Sequence, residues 1–460
     1  MFHMARIRKN SIDMLSGSIW DKLILFALPV AASSILQQLF NAADVAVAGR
    51  FAGSTALAAV GSTGALINLI INLFVGCATG ANVLISSFVA LKDEKASREA
   101  VSTSLVFAFF SGLFLIVAGY FLSRPLLMMM GSPEDVIEHS TIYMKIYFVG
   151  MPFLMIYNFG SAILRSVGDT KRPLVALAFS GVINVLLNLF FVAVLKLGVA
   201  GVAIATVCSE AVSSTLVISF LVKEKGAIGF DFSNIVFKKS HLKRIVSIGL
   251  PAGVQGIVFS LSNVCIQSGI NSLGSVAMAG NAAAANFETF SYYICSAFAI
   301  SALTFASQNY AVGDYGRTKR VYRDALSIGI STMFIFDVII FAFRYPLLSI
   351  FTTDKAVMKF AVIKLVFGLL PHSLICIYEI TASILRAMGK SLLPAILCII
   401  GTCFVRLFWV FVIFPLFREF YVLVAVYPIS WVITATMMVC AYHILKKKLL
   451  NPNFNKVVLE

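Results

Sequence analysis

The chain has 460 residues, 60% of them hydrophobic and only 12% charged, and a net charge of +15. A soluble chain of this size carries about 25% charged residues, so the composition excludes a water-soluble globular protein. Apolar runs long enough for a helical span, about 20 residues, recur throughout, whereas a membrane β-barrel shows short alternating segments.

The N-terminal stretch MFHMARIRKNSIDMLSGSIWDK is polar and basic and lacks the apolar core of a cleavable signal. Hydropathy then predicts twelve spans, at 22–48, 55–90, 101–122, 141–164, 174–195, 200–222, 246–272, 277–310, 324–343, 361–386, 392–415 and 421–444. The second and eighth are long enough to need bending or to run beyond the bilayer. All eight cysteines (77, 208, 265, 295, 376, 398, 403, 440) fall inside these spans without CxxC spacing, as small apolar packing residues do.

An even number of spans puts both termini on one side of the membrane, and Lys and Arg choose the side. The loop set that includes the N-terminus (Arg6, Arg8, Lys9), the 223–244 segment and the tail (Lys446, Lys447, Lys448, Lys456) carries 25 basic residues. The opposite set carries 7: Arg50, Arg124, Lys196, Arg344, Lys355, Lys359 and Arg418. Both termini are therefore expected in the cytoplasm. The same distribution accounts for the basic balance as topology, not nucleic-acid binding.

The two halves repeat. ILRSVGDTKRP at 163–173 matches ILRAMGKSLLP at 384–394, and PLLMMMGSPEDV at 125–136 matches PLLSIFTTDKAV at 346–357, both at an offset of 221. Asp93 and Asp314 keep that offset, and ALPV at 27–30 pairs with GLPA at 249–252 at 222. Each half holds six spans, so the copies share one orientation, an arrangement known in transporters. The expected organisation is a cytoplasmic segment 1–21, an N-lobe 22–222, a cytoplasmic linker 223–244, a C-lobe 245–445 and a cytoplasmic tail 446–460. Two similar lobes around a midplane site allow access to alternate between the membrane faces.

On these features the chain resembles the multidrug and toxic compound extrusion (MATE) family. The residues that carry the likeness are LFNAADVAVAGRFAGSTALAAVG, AILRSVGDTKRPLVA with GVINVLLNLFFV, and GVAGVAIATVCSEAVS. In the second half they are IGLPAG, ASQNYAVGDYGRTKR and EITASILRAMGKS. The likeness covers about 20–445. It implies an all-α polytopic fold of two six-helix lobes, a central cavity, and export of organic cations in exchange for H+ or Na+. It implies no enzymatic activity, no cofactor beyond the coupling ion, a bacterial cytoplasmic membrane, and small organic cations and lipid as partners of a monomer.

An ionised carboxylate at mid-bilayer costs several kcal/mol on insertion scales, so it marks a wet cavity, a partner or a bound cation. Gln37, Asn41 and Asp44 are spaced i, i+4, i+7 on the first span, and Asn184 and Asn188 i, i+4 on the fifth. Together they offer amide and carboxylate oxygens suited to Na+ or a relayed proton. Asp44 falls on the family's first-helix aspartate. Asn188 stands where relatives often carry a second acid. A helix-packing hydrogen bond is the alternative role for Asp44.

In the second half Glu288 shares a face with Asn281, and Glu379 with His372 and Arg386. Both glutamates are candidates for coupling, with structural pairing, for instance to Arg406, as the alternative. At the repeat offset Glu379 corresponds to Asn158. The seventh span carries the polar line Ser260, Asn263, Gln267, Asn271, without the acid found there in some branches of the family. Tyr157, Tyr292 and Tyr378 are candidates to stack on a flat organic cation, at about 0.5–2 kcal/mol per contact. Glu210 and Asp337 also lie in spans. A structural salt bridge is expected for Arg406.

A lipid-linked oligosaccharide flippase of the same architecture is the nearest rival. It needs cavity cations for a pyrophosphate, and here Arg406 and Lys145 stand out as intramembrane bases against several acids. A membrane-embedded enzyme is disfavoured: no HExxH or GxSxG motif, no GxGD-type aspartate pair and no Walker motif is present.

Overall fold

The computed structural model describes residues 11–130 and 133–450, and nearly all of them are helical. The basic residues Arg6, Arg8, Lys9 and Lys456 and the ends of the two terminal segments lie outside the described residues.

In the first half α1 spans Trp20–Val47, α2 Ser54–Ala90, α3 Glu94–Met129, α4 Glu134–Val149, α5 Met151–Ser166, α6 Lys171–Asn188 and α7 Gly198–Val222. In the second, α8 spans Lys239–Asn271, α9 Ser275–Ala311, α10 Tyr315–Ala342, the short α11 Arg344–Ser349, α12 Lys355–Gly368 and α13 Leu374–Ala387. The eleventh expected span is helical over Leu392–Phe417 and the twelfth over Phe420–Leu449. Among the described residues ten helices are long and apolar enough to cross a membrane, or eleven if the bent pair Val136–Val149 and Met151–Ser166 is one span.

Two expected spans are therefore not straight rods. The fourth bends by 50° where α4 meets α5, at Gly150 with Pro152 at the start of the next helix. The tenth is divided between α12 and α13, around Pro371. Proline removes a backbone donor and clashes with the preceding turn. Positions 150 and 371 are one repeat offset apart.

The duplication is visible in the backbone. Gly53 and Gly274, at φ 89° and 94°, precede α2 and α9, a conformation that essentially only glycine adopts. Asp93 accepts a hydrogen bond from the Ala96 amide at the start of α3, and Asp314 accepts one from the Arg317 amide at the start of α10. Each anchors a helix N-terminus.

The chain divides into two compact units, Met1–Asp13 with Ala32–Gly253, and Met14–Ala31 with Val254–Glu460. In the first unit, Gly76 and Gly80 of α2 meet Gly249 and Gly253 of α8 backbone to backbone; a Cβ on Gly76 would sit 2.5 Å from Gly253 N. Small residues four apart permit this approach in membranes. The segment expected as a linker is pinned to α3: Val236 N donates to Ser102 Oγ (2.9 Å), Lys238 N to Thr103 Oγ1 (3.1 Å), and Arg98 to Lys225 O (2.8 Å). In the second unit Arg317 gathers the carbonyls of Met14, Ser16 and Gly17 at 3.2, 2.8 and 2.9 Å.

Large apolar side chains point outward along the helices, among them Phe110, Phe114, Phe121, Phe179, Leu186, Phe411 and Leu416. In water such faces would aggregate; in lipid they are the solvated surface.

Candidate functional site

Within the first unit, α1, α6 and α7 bring polar side chains to one buried point. Asp44 is 6% exposed, Asn184 4% and Asn188 fully buried. Asn188 Nδ2 donates to Asp44 Oδ1 and, at 3.3 Å, to Asn184 Oδ1. Thr206 Oγ1 lies 3.2 Å from Asp44 Oδ2 and 3.0 Å from Val202 O, and its single proton serves one acceptor at a time. Asn188 Oδ1 is buried without a hydrogen-bond partner. The result is one carboxylate, two amide oxygens and a hydroxyl, a hard oxygen set of the kind that takes a small cation or a proton. Tyr143 and Glu210 are within electrostatic range of Asp44, and Tyr147 lies beside Glu210.

The helices that carry this cluster leave α geometry next to it. Residues 48–52 are π-helical just after Asp44, and 189–194 just after Asn188. Such turns recur at functional sites because they re-aim side chains and free carbonyls. Of the expected first-helix stripe, Asp44 alone is buried. Asn41 and Gln37 lie on exposed faces of α1.

The second unit has a different centre. Lys364 Nζ lies 3.0 Å from Glu288 Oε2 and 3.5 Å from the centre of the Tyr427 ring. Arg406 approaches the rings of Tyr427 and Phe259 at 4.9 and 5.0 Å. It donates to Asn263 Oδ1 (2.8 Å) and Ser430 Oγ (3.3 Å). Arg406 thus departs from the expected salt bridge: its hydrogen bonds go to neutral groups, because Lys364 holds Glu288. His372, expected beside Glu379, packs against Trp431 at 5.3 Å. Asp337 accepts from Ser291 Oγ at 2.5 Å.

The remaining candidates scatter. Glu379 is in electrostatic contact with Arg386 and Tyr292. Arg386 donates to Gln255 at 2.6 Å. Gln267, exposed on α8, donates to Asn271 and accepts from Asn281. Tyr157 is buried with its hydroxyl 3.4 Å from Pro173 O, and Asn158 donates to Leu154 O. Tyr378 is buried, whereas Tyr292 is 38% exposed.

Sequence reasoning passed over Thr206, Lys364, Tyr427 and Trp431. Thr206 and Glu210 are spaced i, i+4 in the sixth expected span, which puts them on one face. Lys364, inside an apolar run, was the stronger signal. It corrects the picture of Arg406 and Lys145 as the main intramembrane bases; Lys145 instead lies over the Tyr120 ring at 4.3 Å.

The MatE family model matches this chain twice, over 29–190 and 251–412, in the two copies of the repeat. A probable multidrug resistance protein of Bacillus subtilis, YoeA, is 30% identical over 389 residues, which is 83% of this chain and 84% of the relative. NorM of Thermotoga maritima, also named a probable multidrug resistance protein, is 25% identical over 412 residues, 87% of each. The fold matches an outward-facing multidrug resistance MATE transporter of the MOP superfamily with a TM-score of 0.89 at 20% identity, over 96% of this chain and 99% of that one. The duplicated helical halves, the repeated family match and the likeness of both sequence and fold agree: the chain belongs to the MatE family and is a multi-span membrane transporter of the multidrug efflux kind, not an enzyme.

Proposed function

We propose that the protein exports organic, mostly cationic, compounds across the cytoplasmic membrane by alternating access, driven by inward exchange of H+ or Na+ at Asp44. The observation that carries this reading is the buried carboxylate ringed by Asn184, Asn188 and Thr206, with Asn188 Oδ1 left unpartnered. A proton on Asp44, or a Na+ shared by these oxygens, satisfies the group; its release leaves a charge in a low-dielectric setting. That difference gives the lobe two states of unequal stability, and a bound ion shifts their balance. The two lobes would be 22–222 and 245–445. Organic cations are favoured by the acids of the spans and the aromatic content.

The test is ethidium efflux from vesicles holding the purified protein, with pH and sodium gradients imposed separately. Efflux under one gradient and not the other names the ion, and no efflux under either overturns the reading. The 25-to-7 distribution of basic residues further supports a cytoplasmic position for both termini. A cysteine introduced in 223–244 should then react with an impermeant reagent only after cells are permeabilised, and labelling of intact cells would reverse the topology.

A further inference from the structure

The second unit buries two cations close together beside aromatic rings. Lys364 and Arg406 are each 1% exposed, and one carboxylate, Glu288, pairs with Lys364. Arg406 donates its hydrogen bonds to the neutral Asn263 and Ser430 and packs on the rings of Tyr427 and Phe259, with Glu288 within electrostatic range. The other nearby acid, Asp337, is bound by Ser291 and lies toward Glu288, while Glu379 faces Arg386. A buried guanidinium stays charged and demands an anion.

The same place gathers unused donors. Lys364 Nζ, despite its ion pair, makes no hydrogen bond of good geometry, and Trp431 Nε1 and His372 Nδ1 have no partner either. All three groups are buried. The rings connect them: Trp431 lies 5.3 Å from His372 and 5.8 Å from Tyr427. Arg406 itself sits on a single α turn between π-helical stretches at 399–404 and 409–413. The repeat adds a further observation. At the offset of 221, Lys364 stands against Tyr143, Tyr427 against Thr206, and Trp431 against Glu210. Three positions around the Asp44 pocket have become a base and two aromatic rings in the other copy.

We propose that this cluster is a subsite for the oxyanion of an aromatic organic compound, a carboxylate, sulfonate or phosphate attached to a ring. The oxyanion lies between Lys364 and Arg406, taking the place on Lys364 that Glu288 fills when the subsite is empty. Trp431 Nε1 and His372 supply further donors, and Tyr427 supplies an aromatic face. This inference rests on the exporter reading and extends its cargo to compounds that carry an anionic group.

Equilibrium binding to the purified full chain in nanodiscs of zwitterionic lipid tests it without any transport step. The probes are 2-naphthoate and its neutral counterpart 2-naphthamide. The wild-type protein should bind the carboxylate at least about tenfold more tightly, the contribution of one charge-assisted hydrogen bond. That ratio should fall to about twofold or less in Arg406→Gln and Lys364→Gln, and persist in Arg406→Lys. Equal binding of the two probes to the wild-type protein overturns the proposal, even if no variant can be purified, and so does a ratio that survives both glutamine variants. Failure of gradient-driven ethidium efflux would instead remove the exporter reading and leave this ratio to be judged separately.

Discussion

Around Asp44, neutral side chains turn toward one carboxylate: an amide N–H, a hydroxyl and an amide oxygen left over. Around Glu288, the carboxylate is the minority partner of two cations stacked on aromatic rings. Both pockets draw on corresponding helices of one repeat. The backbone devices have stayed alike, from the paired glycines before α2 and α9 to the aspartate caps of α3 and α10. Backbone geometry is constrained because every amide in the bilayer must be satisfied within the protein. Side chains that line an interior can be exchanged in kind so long as each polar group still finds a partner. A duplicated transporter can therefore keep one frame and fit its halves with opposite chemistry.

The sharpest way to break this comparison is to remove one partner of the buried pair. Glu288→Ala leaves the Lys364 ammonium buried and unpaired, and should destabilise the protein by about 3–5 kcal/mol. The double change Glu288→Leu with Lys364→Met should recover most of that loss. Thermal unfolding of the purified proteins reads both effects, and a Glu288→Ala variant as stable as wild type would show that the pair does not hold the second unit together.

The shared frame predicts a smaller, matched effect. Ala at Gly53 or at Gly274 has room for its methyl group but must adopt a φ near +90°. Each should lose about 1–3 kcal/mol, and the two losses should agree, since the strain is the same. A loss at one site and none at the other would mean that the copies no longer share their backbone.

Thr206→Val is the mildest change. It keeps shape and removes the hydroxyl from Asp44, and a hydrogen bond to a charged group contributes about 1.5–3 kcal/mol. The apparent affinity for the coupling ion in vesicle efflux should change roughly tenfold while maximal rate is retained. It should rise if the ion is H+, because the lost hydroxyl bond favoured the ionised carboxylate, and fall if it is Na+, because a ligand oxygen is removed. Unchanged affinity would leave Thr206 bonded to Val202 alone.

Much of the fold was legible because lipid imposes simple rules. Long apolar runs located the helices, and the 221 offset exposed the duplication. The bend at Gly150 and the break near Pro371 were less legible, since a hydropathy window averages across a kink. Asp44, Asn184 and Asn188 could be placed on their helix faces from spacing, but the meeting of α1 with α6 and α7 is tertiary, and so Thr206 was missed. Asn41 shares the spacing of Asp44 yet lies on an exposed face, because periodicity fixes a face only to within a wide arc. Lys364 was hidden by its setting: one base in an apolar run changes hydropathy little, and its significance lies in what packs around it.

The account turns on Asp44 as the exchanging group, and gradient-driven ethidium efflux by Asp44→Asn in reconstituted vesicles tests that directly. The amide keeps the shape and most of the hydrogen bonding, and interhelical bonds in membranes average only about 0.6 kcal/mol, so the variant should fold and reconstitute as wild type does. Efflux should nevertheless fall to the level of protein-free vesicles under both pH and sodium gradients. Wild-type efflux by Asp44→Asn, with loss confined to Glu288→Gln or Glu379→Gln, would contradict the account and move ion coupling to the second unit.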